Sequence, residues 1–471
     1  QVSKLLLEVA ISRLPCMASV GTTSEEAAAS RKRARTGAAP AAPAAAAGQD
    51  GAGANGHKRA RTWNVRIGER AAGILNPIRE IMDKIAGKEN PRKRLISLAQ
   101  GDPTAYPHLR PGDVMVRAVV ATVTGGVSNG YQPSQGSGPA RAAVAEAFSV
   151  HGRPPLKPSD VFMTLGCSEA LSHCIAALAA RGSNILLPRP GFCLYEVLCN
   201  YHGVEPRYYD LLPHQGWQID ASQLATLVDE NTCALLINNP SNPCGAVYPG
   251  AHLTAVLAVA EELCLPVIAD EVYAEMTFGE PYVACAAASS SVPVLSVCAL
   301  SKRWLAPGWR LGWITVHDAE GILAHAAVPE TLLKLCQVSL GPSAPLQAAL
   351  PQILRGTPKE WYEKVLKDLE ESAKCCVRRC REIPGFEVCT EPQGSMYCMV
   401  RIKKEAFGGG VADNDVDFAG QLLAEESIAV LPGQCFNAPG FFRVVFAAPP
   451  EVLNEAFDRI ESFCRRHAAK A

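Results

Sequence analysis

The chain has 471 residues and 48% of them are hydrophobic, which is enough for a large core and more than one domain. Its 45 Lys and Arg are balanced by 46 Asp and Glu, giving a formal net charge of -1. This balance argues against nucleic acid or an anionic membrane surface as the main partner and favours a small molecule. The sequence also contains no apolar run near the ~18 residues that a membrane span requires.

The 18 cysteines are scattered along the chain. Cys375, Cys376 and Cys380 cluster on a helix-like segment, but no spacing typical of a zinc site occurs. We therefore predict no bound metal and free thiols in a reducing compartment, which favours a cytoplasmic protein.

Residues 1–61 are predicted to form a disordered tail. From Met17 onward this tail is rich in Ala, Gly, Pro and Arg and has almost no large apolar residues, so it cannot bury enough surface to offset the entropy of ordering. We interpret Met17 as the natural start of the protein and residues 1–16 as an upstream stretch that is also translated.

Two basic clusters lie in this tail, at residues 31–35 and 57–61. They are compatible with a nuclear-import or nucleic-acid role, but we favour a solvated tail because nothing folded accompanies them. Gly51–Gly56 matches Gly-x-Gly-x-x-Gly, yet no strand precedes it and no helix pattern follows directly. A dinucleotide site is therefore rejected there.

From about residue 140 to 320, short apolar runs alternate with helical patterns. The apolar runs lie at residues 161–164, 184–187, 234–237, 267–269 and 294–297, and helix-like segments at 168–180 and about 252–264. Buried strands that alternate with helices predict an α/β fold whose mostly parallel sheet is covered on both faces. Ligands of such sheets bind beyond the carboxyl ends of the strands.

After about residue 346 the pattern changes to that of a smaller α+β domain. A long charged amphipathic helix is predicted at 358–382, strands at 385–388, 396–400 and 442–446, and further helices near 415–426 and at the C-terminus. We predict an N-terminal arm that forms part of the small domain at 62–105, a large domain at 106–345 and a small C-terminal domain at 346–471.

A lysine and an arginine follow the apolar run 294–297. Lys302 comes just past this buried strand, where a desolvated amine is poised to form a Schiff base. Arg310 follows a Pro-Gly turn and can fold back as a planar fork for a phosphate. The alternative is that Lys302 is a solvated residue at the strand end.

An acid and a tyrosine follow the run 267–269. Asp270, at the carboxyl edge of the sheet, could hold a pyridinium nitrogen protonated. Tyr273, three positions on, could place its hydroxyl on the ring oxygen (O3′) of a cofactor that carries this pyridinium. The alternative is that Asp270 caps the next turn.

Two other strand ends carry polar groups. Residues 164–170 combine a strand, a tight turn and a helix start, where backbone N–H groups suit a phosphate and Ser168 adds a hydroxyl. Ser168 could equally be a plain helix N-cap. Residues 238–245 (NNPSNPCG) are predicted either to form a turn or to donate a side-chain amide hydrogen bond to a cofactor oxygen. Phe192 either stacks on an aromatic ring or belongs to the core.

Together these residues place a lysine, an acid, a phosphate cradle and an arginine at successive carboxyl edges of one sheet. This combination predicts pyridoxal 5′-phosphate (PLP), with its aldehyde on the lysine, its ring nitrogen on the aspartate and its phosphate on the helix start and the arginine.

At this point the sequence resembles a known family. Ser301–Trp313 (SKRWLAPGWRLGW) is similar to the lysine signature of the tyrosine and nicotianamine aminotransferases, a group of the PLP-dependent class I aminotransferases. Further similar segments, in the same order, are 97–103 (SLAQGDP), 184–195 (NILLPRPGFCLY), 238–245 and 269–273. The similarity runs from about Trp63 to the C-terminus. Residues 164–168 and 238–240 resemble the tyrosine enzymes more than the nicotianamine enzymes.

The resemblance implies PLP fold type I, as in aspartate aminotransferase, and a role for each matching residue. The catalytic residues would be Lys302, as Schiff-base lysine and proton shuttle, Asp270 on the pyridinium, and Tyr273 on O3′. The remaining cofactor contacts would be Asn242 on O3′, Phe192 stacked on the ring, Cys167, Ser168 and Arg310 on the phosphate, and Tyr131 on the phosphate in the neighbouring subunit. Ala299 departs from the pattern, since many relatives carry a phosphate-binding serine there.

The resemblance also implies the substrates. Arg443 would bind the substrate α-carboxylate, with Asn242 and the backbone of Gly101, since a buried arginine needs a partner. No clear second arginine is available for a side-chain carboxylate, which argues against a dedicated aspartate enzyme. We expect a homodimer with shared active sites that moves the amino group of an aromatic amino acid, tyrosine first, to a 2-oxo acid such as 2-oxoglutarate. Nicotianamine aminotransferase and PLP-dependent C–S lyase activities are the alternatives.

Overall fold

The computed structural model describes Trp63, residues 65–126 and residues 128–469. The predicted disordered tail at 1–61, its start at Met17, its basic clusters and the Gly51–Gly56 segment lie outside the described residues. From Arg66 onward the described residues belong to one compact unit. No helix in the described part of the chain is both long enough and apolar enough to cross a membrane.

An eight-stranded sheet forms the centre of the fold. Its strands are β2 (Val161–Thr164), β3 (Asn184–Arg189), β4 (Glu205–Leu212), β5 (Gln218–Ile219), β6 (Thr232–Asn238), β7 (Val267–Asp270), β8 (Val294–Ala299) and β9 (Gly312–His317). Their spatial order is β2-β9-β8-β7-β6-β3-β4-β5. The pairs from β8 to β4 are parallel, while β9 and β5 are antiparallel to their neighbours. The predicted mostly parallel sheet is confirmed.

Helices cover both faces of this sheet, as predicted. The helices are α1 (Glu69–Ala72), α2 (Pro77–Ile85), α3 (Asp113–Gly125), α4 (Gly138–Phe148), α5 (Cys167–Leu178), α6 (Leu194–His202), α7 (Ala221–Leu227), α8 (Gly250–Glu262), α9 (Ile322–His325), α10 (Val328–Ser339), α11 (Ala344–Gly356), α12 (Lys359–Glu382), α13 (Asp415–Glu426) and α14 (Pro450–Arg466). Adjacent residues of β6 point to opposite faces of the sheet: Leu235 packs with α8, and Leu236 packs with α5 and α10. Because both faces are buried, the strands are continuous apolar runs.

Two smaller sheets lie beside the central one. The antiparallel sheet β10-β11-β14-β13 contains β10 (Phe386–Glu387), β11 (Tyr397–Ile402), β13 (Leu431–Pro432) and β14 (Phe441–Val445). The parallel pair β1 (Ile96–Ser97) and β12 (Ile428–Ala429) joins the N-terminal segment to the C-terminal part. A separate core beneath α12 and α14 buries one face of the four-stranded sheet. The exact domain boundaries given above stay a prediction.

The register of the central sheet brings the predicted polar residues together. Asn238, at the end of β6, lies opposite Asp270 of β7, and Asp270 lies opposite Val297 of β8. Lys302 follows three residues after the end of β8. Because parallel strands end at one edge, these side chains converge there.

Candidate active site

A cavity of about 510 Å³ opens at the carboxyl edge of the central sheet. It lies within the size range of about 300–1,000 Å³ that is usual for small-molecule sites. Its walls contain every predicted site residue except Tyr131, namely Gly101, Cys167, Ser168, Phe192, Asn242, Asp270, Tyr273, Lys302, Arg310 and Arg443. Tyr131 is 92% exposed and lies outside this cavity.

Asp270 is a buried carboxyl group at the end of β7. Its Oδ2 accepts a hydrogen bond of 2.7 Å from the Tyr195 hydroxyl, and its Oδ1 accepts one of 3.3 Å from the Val272 N–H. Burial raises the pKa of Asp270 to about 6, although the hydrogen bonds and the charge of Lys302 oppose this effect. Because burial disfavours the ionised form of this carboxyl group, a positively charged ligand atom beside it would be favourable.

Lys302 points its amine into the same cavity. Its Nζ donates a hydrogen bond of 2.5 Å to the backbone carbonyl of Gly101 and lies 5.9 Å from the centre of the Tyr273 ring. The side chain is half-buried, and among the described residues no carboxylate forms an ion pair with it. The amine is therefore held by one neutral acceptor and is available to a carbonyl carbon.

Two tyrosine hydroxyls meet in the wall of the cavity. The hydroxyl oxygens of Tyr273 and Tyr397 are 2.6 Å apart, and their rings pack edge to face. Burial raises the pKa of Tyr273 well above its usual range, so that its hydroxyl stays protonated and can donate. A side chain at Gly101 would place Cβ 2.6 Å from the Tyr397 hydroxyl oxygen, which explains the glycine at this close approach.

The start of α5 forms an anion cradle with Arg310. Gly166, with φ of 81°, occupies the N-cap position and supplies no side-chain cap, so the interpretation of Ser168 as the N-cap is wrong. The Arg310 guanidinium donates hydrogen bonds to the carbonyls of Leu165 (3.0 Å) and Pro307 (2.9 Å). Free N–H groups at a helix start, a serine side chain and a guanidinium suit a phosphate.

Arg443 is a buried cation with neutral partners. Its Nη1 donates to Oδ1 of Asn242 and its Nη2 to the carbonyl of Ala99, both at 2.8 Å. The guanidinium carbon lies 4.4 Å from the centre of the Tyr397 ring and 4.7 Å from that of Phe436. Nε has no hydrogen-bond partner within the described part of the chain, and burial lowers the pKa of the group. Such an arginine is matched by a carboxylate ligand.

Three cavity residues were missed by the sequence analysis. Tyr195 follows Phe192 by three residues across the turn that starts α6, and its N–H donates a hydrogen bond of 3.1 Å to the Phe192 carbonyl, so this short spacing could have placed the two side chains together. Tyr397 has no such signal, because its contacts are with distant parts of the chain. Arg79, on α2, lies in the cavity wall, although the sequence had offered no clear second arginine.

The comparisons with known proteins agree with this geometry. The sequence model of the family described as "Aminotransferase class I and II" matches residues 93–460. The chain therefore belongs to the class I and II aminotransferases, within their tyrosine and nicotianamine aminotransferase group, and it is an aminotransferase that depends on PLP. The predicted family, enzyme class and cofactor are confirmed.

Two curated relatives and one solved structure illustrate the match. Tyrosine aminotransferase of Mus musculus is 44% identical over 410 residues, which cover 87% of this chain and 89% of that protein. Nicotianamine aminotransferase 1 of Oryza sativa subsp. japonica is 37% identical, covering 85% of this chain and 81% of the relative. The crystal structure of tyrosine aminotransferase from Leishmania infantum is 31% identical with a TM-score of 0.82, covering 87% of this chain and all of that one. The predicted fold class is confirmed.

The residues in the cavity fit PLP. Asp270 is a buried carboxyl group to which no cation is bonded in the described part of the chain, and it suits the ring nitrogen. The start of α5, without a side-chain cap, suits the phosphate. The Lys302 amine, which a backbone carbonyl holds, suits the aldehyde.

Proposed function

We propose that this aminotransferase takes the amino group of tyrosine and passes it to 2-oxoglutarate. The observation that carries the proposal is Arg443, a buried cation without an acidic partner among the described residues, placed in the cavity beside Lys302. Such a group binds the α-carboxylate that every amino acid and 2-oxo acid has. The side-chain preference follows from the tyrosine aminotransferases, which are 40–44% identical to this chain in four organisms.

We propose the same cofactor roles that the resemblance implies. Lys302 would hold the aldehyde, Asp270 the ring nitrogen and Phe192 the ring face. Tyr273 and Asn242 would contact O3′, and Cys167, Ser168 and Arg310 the phosphate. When bound, PLP supplies an electron sink for the charge that develops at the substrate Cα. Asp270 sustains this by keeping a proton at the ring nitrogen, with Tyr195 orienting its carboxylate.

The remaining steps belong to two side chains, Arg443 and Lys302. Arg443 fixes the substrate carboxylate through its paired N–H groups, which turns one Cα–H bond toward Lys302. Lys302 Nζ would then take the Cα proton and pass it to the former aldehyde carbon of the cofactor, and in the acceptor half-reaction it would carry a proton from that carbon to the substrate Cα. Its hydrogen bond to the Gly101 carbonyl holds the amine within the cavity between these transfers.

The cavity offers an apolar wall for an aromatic side chain. Ile78, Met82 and Leu431 line it next to the Arg443 end. Burial of a ring against such a wall stabilises binding by about 25 cal/mol per Å² of apolar surface. This favours tyrosine and phenylalanine over small or acidic donors.

The test of the substrate is a panel under one acceptor. We expect kcat/KM for tyrosine to exceed that for aspartate and nicotianamine, with phenylalanine and methionine between them. The purified protein with PLP and 2-oxoglutarate should yield 4-hydroxyphenylpyruvate and glutamate in equal amounts. An advantage of tenfold or more for aspartate or nicotianamine, about 1.4 kcal/mol in transition-state binding, would remove the tyrosine assignment.

Nicotianamine is the second candidate donor, because nicotianamine aminotransferases are 37–38% identical to this chain. The same panel separates the two donors. Product analysis also separates transamination from C–S lyase activity: the former gives a 2-oxo acid and a new amino acid in balance, the latter pyruvate or ammonia without an acceptor.

We also propose a homodimer whose subunits share their active sites. The solvent-facing side of α3 carries Val116, Val120 and Val123, which are 44%, 53% and 60% exposed, and Tyr131 follows this helix at 92% exposure. An apolar stripe beside a fully exposed tyrosine is typical of a surface covered by another subunit. Tyr131 would there reach the phosphate in its partner's cavity.

We place the enzyme in the cytoplasm. In the described part of the chain every cysteine is a free thiol, which supports a reducing compartment. A fluorescent fusion to the full chain, imaged with compartment markers, tests this proposal, and an organellar or secreted signal would overturn it.

A further inference from the structure

Three side chains of the kinds that bind metal ions meet outside the cavity. An imidazole nitrogen of His214, a carboxylate oxygen of Glu387 and Sγ of Cys389 all lie within 4.8 Å of one another. In the described part of the chain, no other group of His, Cys, Asp or Glu side chains brings three such atoms so close. None of the three residues lines the cavity, so the proposed transamination leaves this group without a role.

The hairpin that carries His214 is held by contacts of its own. His214 lies in the turn between β4 and β5, where the Trp217 N–H donates a hydrogen bond of 2.9 Å to the Leu212 carbonyl. The buried Trp217 ring packs edge to face on Phe441 of β14, with the ring centres 5.7 Å apart. The hairpin is therefore docked on the smaller antiparallel sheet by contacts that do not involve His214.

The segment that carries the other two side chains is tied to this hairpin. Glu387 ends β10, and Cys389 follows two residues later. Thr390 Oγ1 donates a hydrogen bond of 2.6 Å to the carbonyl of Pro213, the residue before His214. Because the backbone on both sides is already fixed, a ligand of the three side chains would order little further chain.

The donor atoms select the class of metal ion. A thiolate and an imidazole are ligands of Zn²⁺, and a carboxylate is also found in zinc sites, whereas Ca²⁺ and Mg²⁺ take oxygen ligands. Ligand atoms around a tetrahedral Zn²⁺ lie about 3.3–3.8 Å apart, so these three must approach by on the order of 1 Å. His214 is exposed and the other two are partly buried, so rotation of the side chains supplies this movement.

The charges beside the group also permit a divalent cation. Arg401 Nη1 lies 3.5 Å from Oε2 of Glu387, and the Arg401 side chain is 51% exposed, so that it can turn into solvent. Burial and the neighbouring Glu387 carboxylate raise the pKa of the Cys389 thiol. When Zn²⁺ binds, the Zn–S bond forms as the S–H bond breaks, and the proton leaves to the solvent.

We propose that His214, Glu387 and Cys389 form a zinc site with solvent in the fourth position. The site joins the hairpin at the β5 edge of the central sheet to the end of β10 in the smaller sheet. Bound Zn²⁺ stabilises the folded chain because it binds only where these two segments meet. The sequence analysis predicted no metal from spacing alone, and these ligands come from segments far apart in the chain.

Calorimetric titration with Zn²⁺ tests the site in the full chain, loaded with PLP and freed of excess cofactor. For Cys389→Ser and His214→Ala we expect the affinity to fall at least about tenfold, since even changes around a ligand cost about 10–100-fold. Arg401→Gln should tighten binding by about threefold, because it removes a positive charge beside Glu387. The control is Cys264→Ser, which removes an exposed thiol outside this group and should bind Zn²⁺ as the wild type does.

Alkylation by iodoacetamide, followed by mass spectrometry, reports on single thiols. Zn²⁺ should slow the alkylation of Cys389 at least about tenfold and leave that of Cys264 in the same sample unchanged. It should also raise the denaturant midpoint of the wild type but not that of Cys389→Ser. His214→Ala should keep the turnover of the wild type, which shows that the variant is folded. Equal Zn²⁺ affinities of Cys389→Ser and the wild type, or equal alkylation of Cys389 with and without Zn²⁺, would exclude the zinc site.

Discussion

Opposite charges face the cavity without pairing with each other. Asp270 is bonded to the Tyr195 hydroxyl, and Arg443 to the Asn242 amide and the Ala99 carbonyl. Burying a charge with neutral partners only is unfavourable, and a ligand of the opposite charge relieves that cost. Asp270 and Arg443, to which we assign parts of the chemistry, are therefore also places where the protein without ligands is less stable than it could be.

Replacing Lys302 by Ala should abolish turnover and leave the fold intact. Among the described residues the side chain makes a single hydrogen bond, to the Gly101 carbonyl, so little stability is lost. The variant lacks the amine that we propose to hold the cofactor and to move the Cα proton, and we expect at least a ~10⁴-fold lower rate. Transamination assays measure the loss of turnover, and thermal unfolding measures whether the fold is intact. We expect the variant to hold PLP only non-covalently. Near-wild-type turnover would contradict the assignment of Lys302.

Replacing Asp270 by Asn should stabilise the cofactor-free protein at neutral pH. The folded-state pKa of about 6 lies above the ordinary value of 3.8. The stability that Asp270 contributes is therefore present below pH ~4 and lost as the pH rises through about 6, a difference of roughly 3 kcal/mol once ionised. Denaturant unfolding of the apoprotein should show an advantage for Asp270→Asn at pH 8 that vanishes near pH 4.

Burial also raises the pKa of the neighbouring Glu271, so the comparison is always between variant and wild type at the same pH. In the enzyme with PLP bound, the same substitution should be harmful. Asp270→Asn should slow transamination far more than it lowers PLP occupancy, and Asp270→Glu should retain more activity than Asp270→Asn. An Asp270→Asn rate equal to that of the wild type at saturating PLP would exclude the pyridinium role.

At the scale of the elements, the strand ends could be predicted from the sequence. A strand buried on both faces is a short apolar run, and the residues that follow it lie at the carboxyl edge. Asp270 and Lys302 were placed correctly in this way, because each follows such a run by at most a few residues. Strand and helix bounds differ from prediction by one or two residues, as for α5, which begins at Cys167 instead of Ser168.

The parts of the cavity built by long-range contacts could not be predicted. Tyr195 reaches Asp270 across 75 positions, and Tyr397 reaches Tyr273 across 124. Arg79 enters the cavity only because α2 docks on a core whose other members lie mostly beyond residue 420. Periodicity reports which face of an element is buried, and it contains no information about which distant element packs there.

The cradle at α5 makes a specific prediction for Gly166→Ala. The φ of 81° is strained for alanine, and its Cβ would lie 2.8 Å from Nη2 of Arg310. We expect stability to fall by about 1–2 kcal/mol, and PLP affinity to fall about tenfold because both Arg310 and the helix start must shift. Equilibrium PLP titration and denaturant unfolding measure the two effects.

Gly308→Ala is the matched control, since this glycine lies beside the same cradle but a Cβ there meets nothing within 4 Å. It should leave PLP affinity within about twofold of the wild type. Equal affinities for Gly166→Ala and the wild type would show that Arg310 and the start of α5 do not hold the phosphate.

At the scale of the whole molecule, one cavity draws on every part of the described chain. Asp270 belongs to the central sheet, Arg443 to the smaller antiparallel sheet, and Gly101 to the N-terminal segment. A change in the packing of these parts alters the distance between the Arg443 guanidinium and the Lys302 amine. In the proposed homodimer a second subunit would also contribute to each cavity through Tyr131, which is the one predicted site residue outside the cavity of its own chain.

Hybrid dimers test that extension. Lys302 and Arg443 line the same cavity of one chain, whereas Tyr131 is proposed to act in the partner's cavity. Mixing Lys302→Ala with Tyr131→Ala subunits should then create one complete site per hybrid, with about half the wild-type activity at limiting PLP. Mixing Lys302→Ala with Arg443→Ala should create none, because each site lacks one residue of its own chain. Differently tagged subunits, purified over both tags, ensure that only hybrids are assayed. If the Tyr131→Ala hybrid is no more active than the Tyr131→Ala homodimer, Tyr131 does not act across the interface.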